Sequence, residues 1–276
     1  MRLLRILTVV LFAACLGFYI WATARYNAGQ NHEKPELTCP ENTLELSVQD
    51  EEAALLQGIS ARDKQDGDLT DHILIASKSQ FLEPGTFTVD YVVFDAHQNF
   101  DQATRRVRYT DYVPPYFTLS QPLVFMQGSN IRYLNYVGAK DALDGDISDK
   151  IKVKASSVSN YTVGIYPVLL EVSNSFGDTI QVELSVVVTN GRSNGPTIAL
   201  KEYLTYVKVG ESFDPYALIE SVNTLKGEPV SKDLVQVLGS VDTQTPGSYQ
   251  LIYKCDHASG EGITYLTVVV AQEVGR

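Results

Sequence analysis

Apolar and polar residues alternate along most of this chain with the period of a β-strand. Phe87, Val89, Tyr91 and Val93 form one such run, Tyr166, Val168, Leu170 and Val172 a second, and Tyr249, Leu251, Tyr253 and Cys255 a third. Side chains that recur at every second residue share one face of a strand, and β-branched and aromatic types suit a half-buried pleat. Each run opens just after a glycine (Gly85, Gly164, Gly247) and is followed by a polar turn and another alternating run. The second runs are clearest as Ile180, Val182, Leu184, Val186, Val188 and as Thr264, Leu266, Val268, Val270. Each pair predicts a hairpin. Helical periodicity is weak, apart from one or two turns over Asp50–Leu56 with acids at the start, where the helix dipole favours them.

The hairpins repeat because the chain repeats. Asp63-Lys64-Gln65-Asp66-Gly67-Asp68-Leu69-Thr70-Asp71 returns as Asp141-Ala142-Leu143-Asp144-Gly145-Asp146-Ile147-Ser148-Asp149, 78 residues later. A degenerate third copy, Asn223-Thr224-Leu225-Lys226-Gly227-Glu228, keeps the glycine and loses every aspartate. A period of this length is a folded module, not a solenoid turn. Prolines open the modules at Pro35, Pro115 and Pro196, where a missing amide donor is harmless. The predicted architecture is all-β: three tandem antiparallel sandwiches, over 35–111, 112–190 and 191–276, behind an N-terminal transmembrane helix (1–25) and a polar tether (26–34). Tyr112-Val113-Pro114-Pro115 reads as a stiff joint, and Gly191-Arg192-Ser193-Asn194-Gly195 as a looser one, placing bending between modules two and three.

The anchor rests on Ile6–Ala24, nineteen residues without charge, flanked by Arg2 and Arg5 and closed by Tyr19, Trp21 and Arg25. It implies a single-pass protein of the cell membrane, N-terminus inside and modules extracellular, with the bilayer as a partner. A cleaved signal peptide and a lipoprotein acylated at Cys15 within Phe12-Ala13-Ala14-Cys15 are the alternatives.

Composition narrows the function. The formal charge is −11, and the first 25 residues contribute three arginines and no acid, so the modules are more acidic still. That disfavours nucleic acid, which clustered Lys and Arg would bind. The three cysteines, Cys15, Cys39 and Cys255, are too scattered for a disulfide framework or a zinc site of C-x-x-C spacing. Cys39 and Cys255 replace core aliphatics of different modules and are expected to be free thiols. No nucleophile elbow, phosphate loop or metalloprotease helix occurs in the sequence. The chain therefore reads as a non-enzyme, a spacer or adhesion module with a surface protein or glycan as ligand. The alternative is a glycan-processing accessory or enzymatic ectodomain. Tyr112, Tyr116, Tyr133 and Tyr136 are candidates either for stacking on sugars or for interdomain packing.

The acidic loops concentrate the remaining chemistry, with Asp63, Asp66, Asp68 and Asp71 in the first and Asp141, Asp144, Asp146 and Asp149 in the second. Calcium takes six to eight oxygens, and these carboxylates with nearby carbonyls are candidate ligands; neither loop has EF-hand spacing. The competing reading is turn chemistry, with Asp accepting from nearby amides and Gly supplying positive φ. No other cofactor is indicated.

Gly210-Glu211-Ser212-Phe213-Asp214-Pro215, the Asp-Gly-Asp-Leu-Thr loop, Pro246-Gly247-Ser248-Tyr249 and the turn Asp95-Ala96-His97-Gln98-Asn99 together resemble the bacterial Ig-like module first noted in pesticidal crystal proteins. The resemblance covers Pro35 to Val270. It implies Ig-like sandwiches used for spacing, adhesion or display, and no common catalytic activity.

Overall fold

The structure, a computed structural model, describes residues 2–28, 33–191 and 194–272, except the side chains of 2–7, 9 and 26–28. It begins with a helix, α1 (Arg2–Ala28). α1 runs three residues into the expected tether, and 29–32 lie outside the described residues. The transmembrane anchor is corrected here. Among the described residues no helix is long and apolar enough to cross a membrane, which removes the support for a single-pass membrane location and for the bilayer as partner. Ile6, Leu7 and Val9 lie outside the described side chains, and the stretch that remains is diluted by Thr8, Gly17, Tyr19, Trp21 and Thr23. A span needs about 20 consecutive, predominantly apolar residues.

The first module contains β1 (Glu36–Thr38), β2 (Leu44–Leu46), β3 (Ser60–Asp63), β4 (Gly67–Asp68), β5 (Leu74–Lys78), β6 (Thr86–Phe94) and β7 (Phe100–Tyr109). The second contains β8 (Tyr116–Leu119), β9 (Val124–Met126), β10 (Val137–Asp141), β11 (Gly145–Asp146), β12 (Lys152–Ser156), β13 (Gly164–Ser173) and β14 (Thr179–Thr189). The third contains β15 (Thr197–Leu200), β16 (Leu204–Lys208), β17 (Ile219–Asn223), β18 (Val235–Leu238), β19 (Gly247–His257) and β20 (Gly260–Ala271). Each has a small sheet (β1-β3-β4, β11-β10-β8, β15-β17) and a four-stranded one (β2-β7-β6-β5, β12-β13-β14-β9, β16-β20-β19-β18).

The expected hairpins are β13–β14 and β19–β20, paired in register from Gly164↔Val188 to Ser173↔Thr179 and from Gly247↔Val270 to His257↔Gly260. The sheets are not wholly antiparallel. β9 pairs with β14, and β16 with β20, in parallel. In each case the chain leaves the small sheet after β8 or β15 and enters the large one beside the module's last strand, which points the same way. Parallel neighbours need long crossovers, and the rest of the module provides them.

The alternating runs bury one face, as their period requires. Phe87, Val89, Tyr91 and Val93 are fully buried, and so are Leu170, Leu184, Leu251 and Leu266. Both sheets of module two feed one core, with Phe117 and Ala139 from the small sheet against Val168, Leu170 and Leu184 from the large. Module three does the same with Ile198 and Val222 against Leu251, Cys255 and Val268. The polar ends of buried tyrosines are satisfied: Tyr91 Oη donates to the Leu55 carbonyl at 2.7 Å, and Tyr253 Oη to that of Pro215 at 2.8 Å. These carbonyls lie on 3-10 turns, Glu52–Leu56 and Pro215–Leu218, the first within the predicted helical stretch. Burial pushes the Tyr91 phenol up to about 12.

By contact the chain forms two compact units. The first comprises Met1–Leu46, Asp50–Ser79 and Phe87–Arg108; the second comprises Ser47–Gln49, Gln80–Thr86 and Tyr109–Arg276, and so holds modules two and three together. Within the second unit Leu204 of β16, 5% exposed, belongs to the core of module two, and Tyr206 and Val269 pack against it. The Tyr206 hydroxyl accepts from Phe117 N at 2.8 Å, and its ring meets Tyr116 edge-on at 6.3 Å. The segment expected to be loose lies against β20: a Cβ on Gly195 would come within 2.1 Å of the Glu261 carbonyl carbon, and one on Gly262 within 2.0 Å of the Pro196 oxygen. Arg192 and Ser193 lie outside the described residues.

Candidate functional site

The acidic loops join the second and third strands of each small sheet, β3 to β4 and β10 to β11. Asp63, 4% exposed, turns its Oδ1 back to accept from Gln65 N at 2.7 Å and Asp66 N at 2.9 Å. Asp141, 6% exposed, does the same for Leu143 N and Asp144 N, both at 2.9 Å. The backbone then reverses through Gly67 (φ 81°) and Gly145 (φ 72°), a region L side chains adopt at a cost. Asp68 Oδ1 accepts from Thr70 N at 2.9 Å, and Asp146 Oδ1 from Ser148 N at 3.0 Å and Ser148 Oγ at 2.6 Å. Asp71 and Asp149 lie exposed in the 3-10 turns that follow, Thr70–His72 and Ser148–Lys150.

The loops therefore divide their carboxylates by task. Asp63, Asp68, Asp141 and Asp146 close the turn on itself, and Asp141 Oδ2 also accepts from Asn174 Nδ2 at 3.2 Å. Asp66 and Asp144 reach outward to the tip of the β6–β7 or β13–β14 hairpin: Asp66 Oδ2 accepts from Ala96 N at 2.8 Å, and Asp144 Oδ2 from Ser175 N at 2.8 Å, with Ser175 Oγ on Oδ1 at 2.6 Å. The third loop keeps the reversal at Gly227 (φ 85°) with a hydroxyl in place of carboxylates, Thr224 Oγ1 accepting from Glu228 N at 3.1 Å.

Hydrogen bonding to the ionised form governs the charge state of these groups. Amides of Asp66 and Gln65 hold the Asp63 carboxyl below its ordinary value, and Thr70 and Ser148 do the same for Asp68 and Asp146. Burial alone would raise Asp144, but bonds from Lys150 and Ser175 outweigh it and leave the group depressed. Lys150 Nζ lies 2.8 Å from Asp144 Oδ2. Carboxylates pushed down in this way stay ionised at neutral pH, which suits a structural acceptor or a cation ligand and not a general acid.

Two residues of the hairpin tip join the site that the acidic repeat alone did not mark. Asp95, 6% exposed, accepts from His97 N and Asn99 N, each at 2.8 Å, through Oδ1, and from Asn99 Nδ2 at 2.7 Å through Oδ2. Gln98 takes φ 67° in this turn. One donor atom each of Asp66, Asp95 and His97 fall within 4.8 Å of one another. The signal in the sequence is Asp-x-His in a hairpin turn, but its partner Asp66 stands about 30 residues earlier, so only the fold brings them together.

The candidate tyrosines are used in packing. Tyr112 Oη donates to Asp178 Oδ2 at 2.6 Å and accepts from Asn174 Nδ2 at 2.9 Å, while its ring meets Phe81 edge-on at 4.8 Å. Phe81 in turn stacks on Phe176 at 4.7 Å. Tyr133 and Tyr136 lie against the core of module two. Cys15, Cys39 and Cys255 are free thiols, the last fully buried.

Residues 201–268, almost all of module three, match the family described as bacterial surface protein, Ig-like domain. Over 211 residues, 74% of the chain, the sequence is 28% identical to the pesticidal crystal protein Cry22Aa of Bacillus thuringiensis. Module three matches a bacterial Ig-like domain, and the chain as a whole is similar to a pesticidal crystal protein. It spans 28% of the length of Cry22Aa, so the activity of that whole protein is not carried over. Among solved structures, the CBM51-2 and INT domains of Clostridium perfringens ZmpB overlap half of this chain and 29% of theirs, at 15% identity and a TM-score of 0.26. The protocadherin GammaB4 extracellular domain overlaps 87% of this chain and 50% of its own, at 12% identity and a TM-score of 0.21. Overlaps this low bear on neither ligand nor activity. Modules one and two thus share an acidic turn whose outward carboxylate is tied to a hairpin tip, and module three keeps the turn without the carboxylates.

Proposed function

We propose that the chain is a non-catalytic spacer and binding module, in which Ig-like domains hold a recognition surface at a set distance. The observation that carries this reading is the match of module three to Ig-like domains of bacterial surface proteins. Two features support it. Leu204 of module three is buried in the core of module two, so the two modules share packing. The loop carboxylates accept bonds from their own backbone, which stiffens the module ends. On this reading the ligand is a surface protein or a glycan, met by exposed side chains at module ends. Calcium at the eight loop aspartates is a companion proposal, and a rise in the melting temperature of modules one and two with millimolar calcium would support it.

The test uses the purified full chain. It is immobilised and exposed to bacterial envelope proteins and to a glycan array, and the same ligands are monitored for chemical change. Saturable retention of one ligand class without turnover supports the proposal. Conversion of a ligand to product would replace it with the enzymatic reading.

A further inference from the structure

We propose that Asp66, Asp95 and His97 at the tip of module one bind a divalent first-row transition-metal ion, with zinc as the reference ion. This is a different site from the calcium set, sharing only Asp66 with it. The donors are two carboxylates and one imidazole. Calcium prefers oxygen alone, whereas mixed oxygen and nitrogen donors suit zinc and its neighbours. Bonds of about 2.0–2.2 Å to such an ion require donors somewhat closer than the 4.8 Å within which they now lie. Asp66 and His97 are exposed and free to rotate inward.

The site is partly prepared. Asp95 is buried and held by the amides of His97 and Asn99 on one oxygen and by the Asn99 side chain on the other. Asp66 is held by Ala96 N through Oδ2 alone. Such outer bonds orient metal ligands. The His97 ring lies near Asp66 and Asp95 and close enough to Asp63 to help depress that carboxyl.

Module two serves as an internal control on charge. Its hairpin turn has the same backbone bonds, with Asn174 Oδ1 accepting from Phe176 N at 3.1 Å and Asp178 N at 2.9 Å as Asp95 does from His97 and Asn99. The position of Asp95 is thus Asn174 there, and that of His97 is Phe176. Both possible ligands are gone, and Lys150 supplies a cation 2.8 Å from Asp144. In module one the position of Lys150 is His72, and Asp66 makes no ion pair among the described residues. Asp66 and Asp95 sit side by side with an imidazole and without a fixed cation, where the same positions of the sister module hold the carboxylate of Asp144, the amide of Asn174 and a phenyl ring, with Lys150 beside them. A bound metal ion fills the role that Lys150 fills next door.

The experiment is calorimetric titration of the metal-free full chain with zinc, and separately with calcium. The variants D95N and H97F each install the residue that module two already carries in the same turn, so the fold accommodates both. One zinc per chain is expected, calcium should not compete for it, and each variant should weaken zinc binding about tenfold or more. Metal-free melting curves confirm that the variants are folded, and the second variant decides if one is not. Zinc uptake unchanged in both variants would assign the ion to other histidines and overturn the proposal. So would no uptake by the wild type at sub-millimolar zinc, or displacement of the zinc by equal calcium.

Discussion

Replacing Leu204 with alanine tests whether modules two and three are one cooperative body. Leu204 is 5% exposed and lies among the core residues of module two, although it belongs to β16 of module three. Removing a buried leucine side chain costs about 2–5 kcal/mol, the spread depending on how far the surroundings collapse into the space. Here Phe117, Ala139 and Val186 are held by their own sheets, so a value near the middle, about 3 kcal/mol, is expected. The neighbouring Tyr206→Phe change removes one acceptor of the Phe117 amide and should cost only about 1–2 kcal/mol. Packing, not the hydrogen bond, therefore dominates the junction.

Differential scanning calorimetry of the full chain reads the result. For a unit of this size about 2–4 °C is lost per kcal/mol, so the transition that contains modules two and three should fall by roughly 6–12 °C in Leu204→Ala. The diagnostic feature is where the loss appears. If the two modules are coupled, both melt earlier or separate into two transitions. A lower melting point confined to module three, or a shift under about 2 °C, would show that Leu204 does not join the cores and would refute the reasoning.

Gly67→Ala and Gly145→Ala each force a side chain into positive φ with open space around the new Cβ, so the cost is conformational alone, about 1 kcal/mol, read as a lowered urea midpoint. A stabilised variant would mean that the turn is not held in that conformation. Acid should also unfold the modules through their loops. Asp63, Asp68, Asp144 and Asp146 have native values below the unfolded carboxylate value of about 4, so the unfolded chain takes up protons first as pH falls. Their contribution is complete above about pH 4 and is lost as pH drops through the depressed native values; urea midpoints should decline across that window, and less steeply in Asp63→Asn with Asp146→Asn. Equal slopes in wild type and variant would remove these carboxylates as the cause.

The strands were legible because alternation and burial are two descriptions of one geometry: Phe87, Val89, Tyr91 and Val93 repeat at the strand period and all four are fully buried. Turns were legible where a glycine was needed for its φ, as at Gly67 and Gly145. Gly195 shows the limit. A glycine between modules reads as freedom, yet here it lets one backbone pass within side-chain distance of another, at Glu261, and so tightens the segment. A sequence does not distinguish the two uses, because the distinguishing atom belongs to a residue more than sixty positions away. The parallel pairing of β9 with β14 was hidden for a related reason, since Val124–Met126 is a short, wholly apolar strand and its partner is fixed by where the chain changes sheets. The Asp66, Asp95 and His97 cluster combines both difficulties, two segments and one fold.

The three loops also show which part of the acidic repeat the fold requires. Module three turns through Gly227 with only a threonine hydroxyl and backbone groups in support, so the requirement is a glycine at positive φ and a side-chain oxygen for a nearby amide. Modules one and two meet it with Asp63 and Asp141, each accepting two amides. The carboxylates beyond that requirement differ in their surroundings: Asp144 has Lys150 and Ser175, whereas Asp66 has Ala96 N, with Asp95 and His97 beside it. Charge at the tip is therefore separable from the turn that carries it. Because the backbone bonds of Asp95 are reproduced by Asn174, exchanging one for the other changes the ligand field and leaves the hairpin's backbone hydrogen bonds in place, giving up only the Asn99 Nδ2 bond to Oδ2. Any loss of metal binding in that variant then reports on a coordinating oxygen and its charge, not on a collapsed loop.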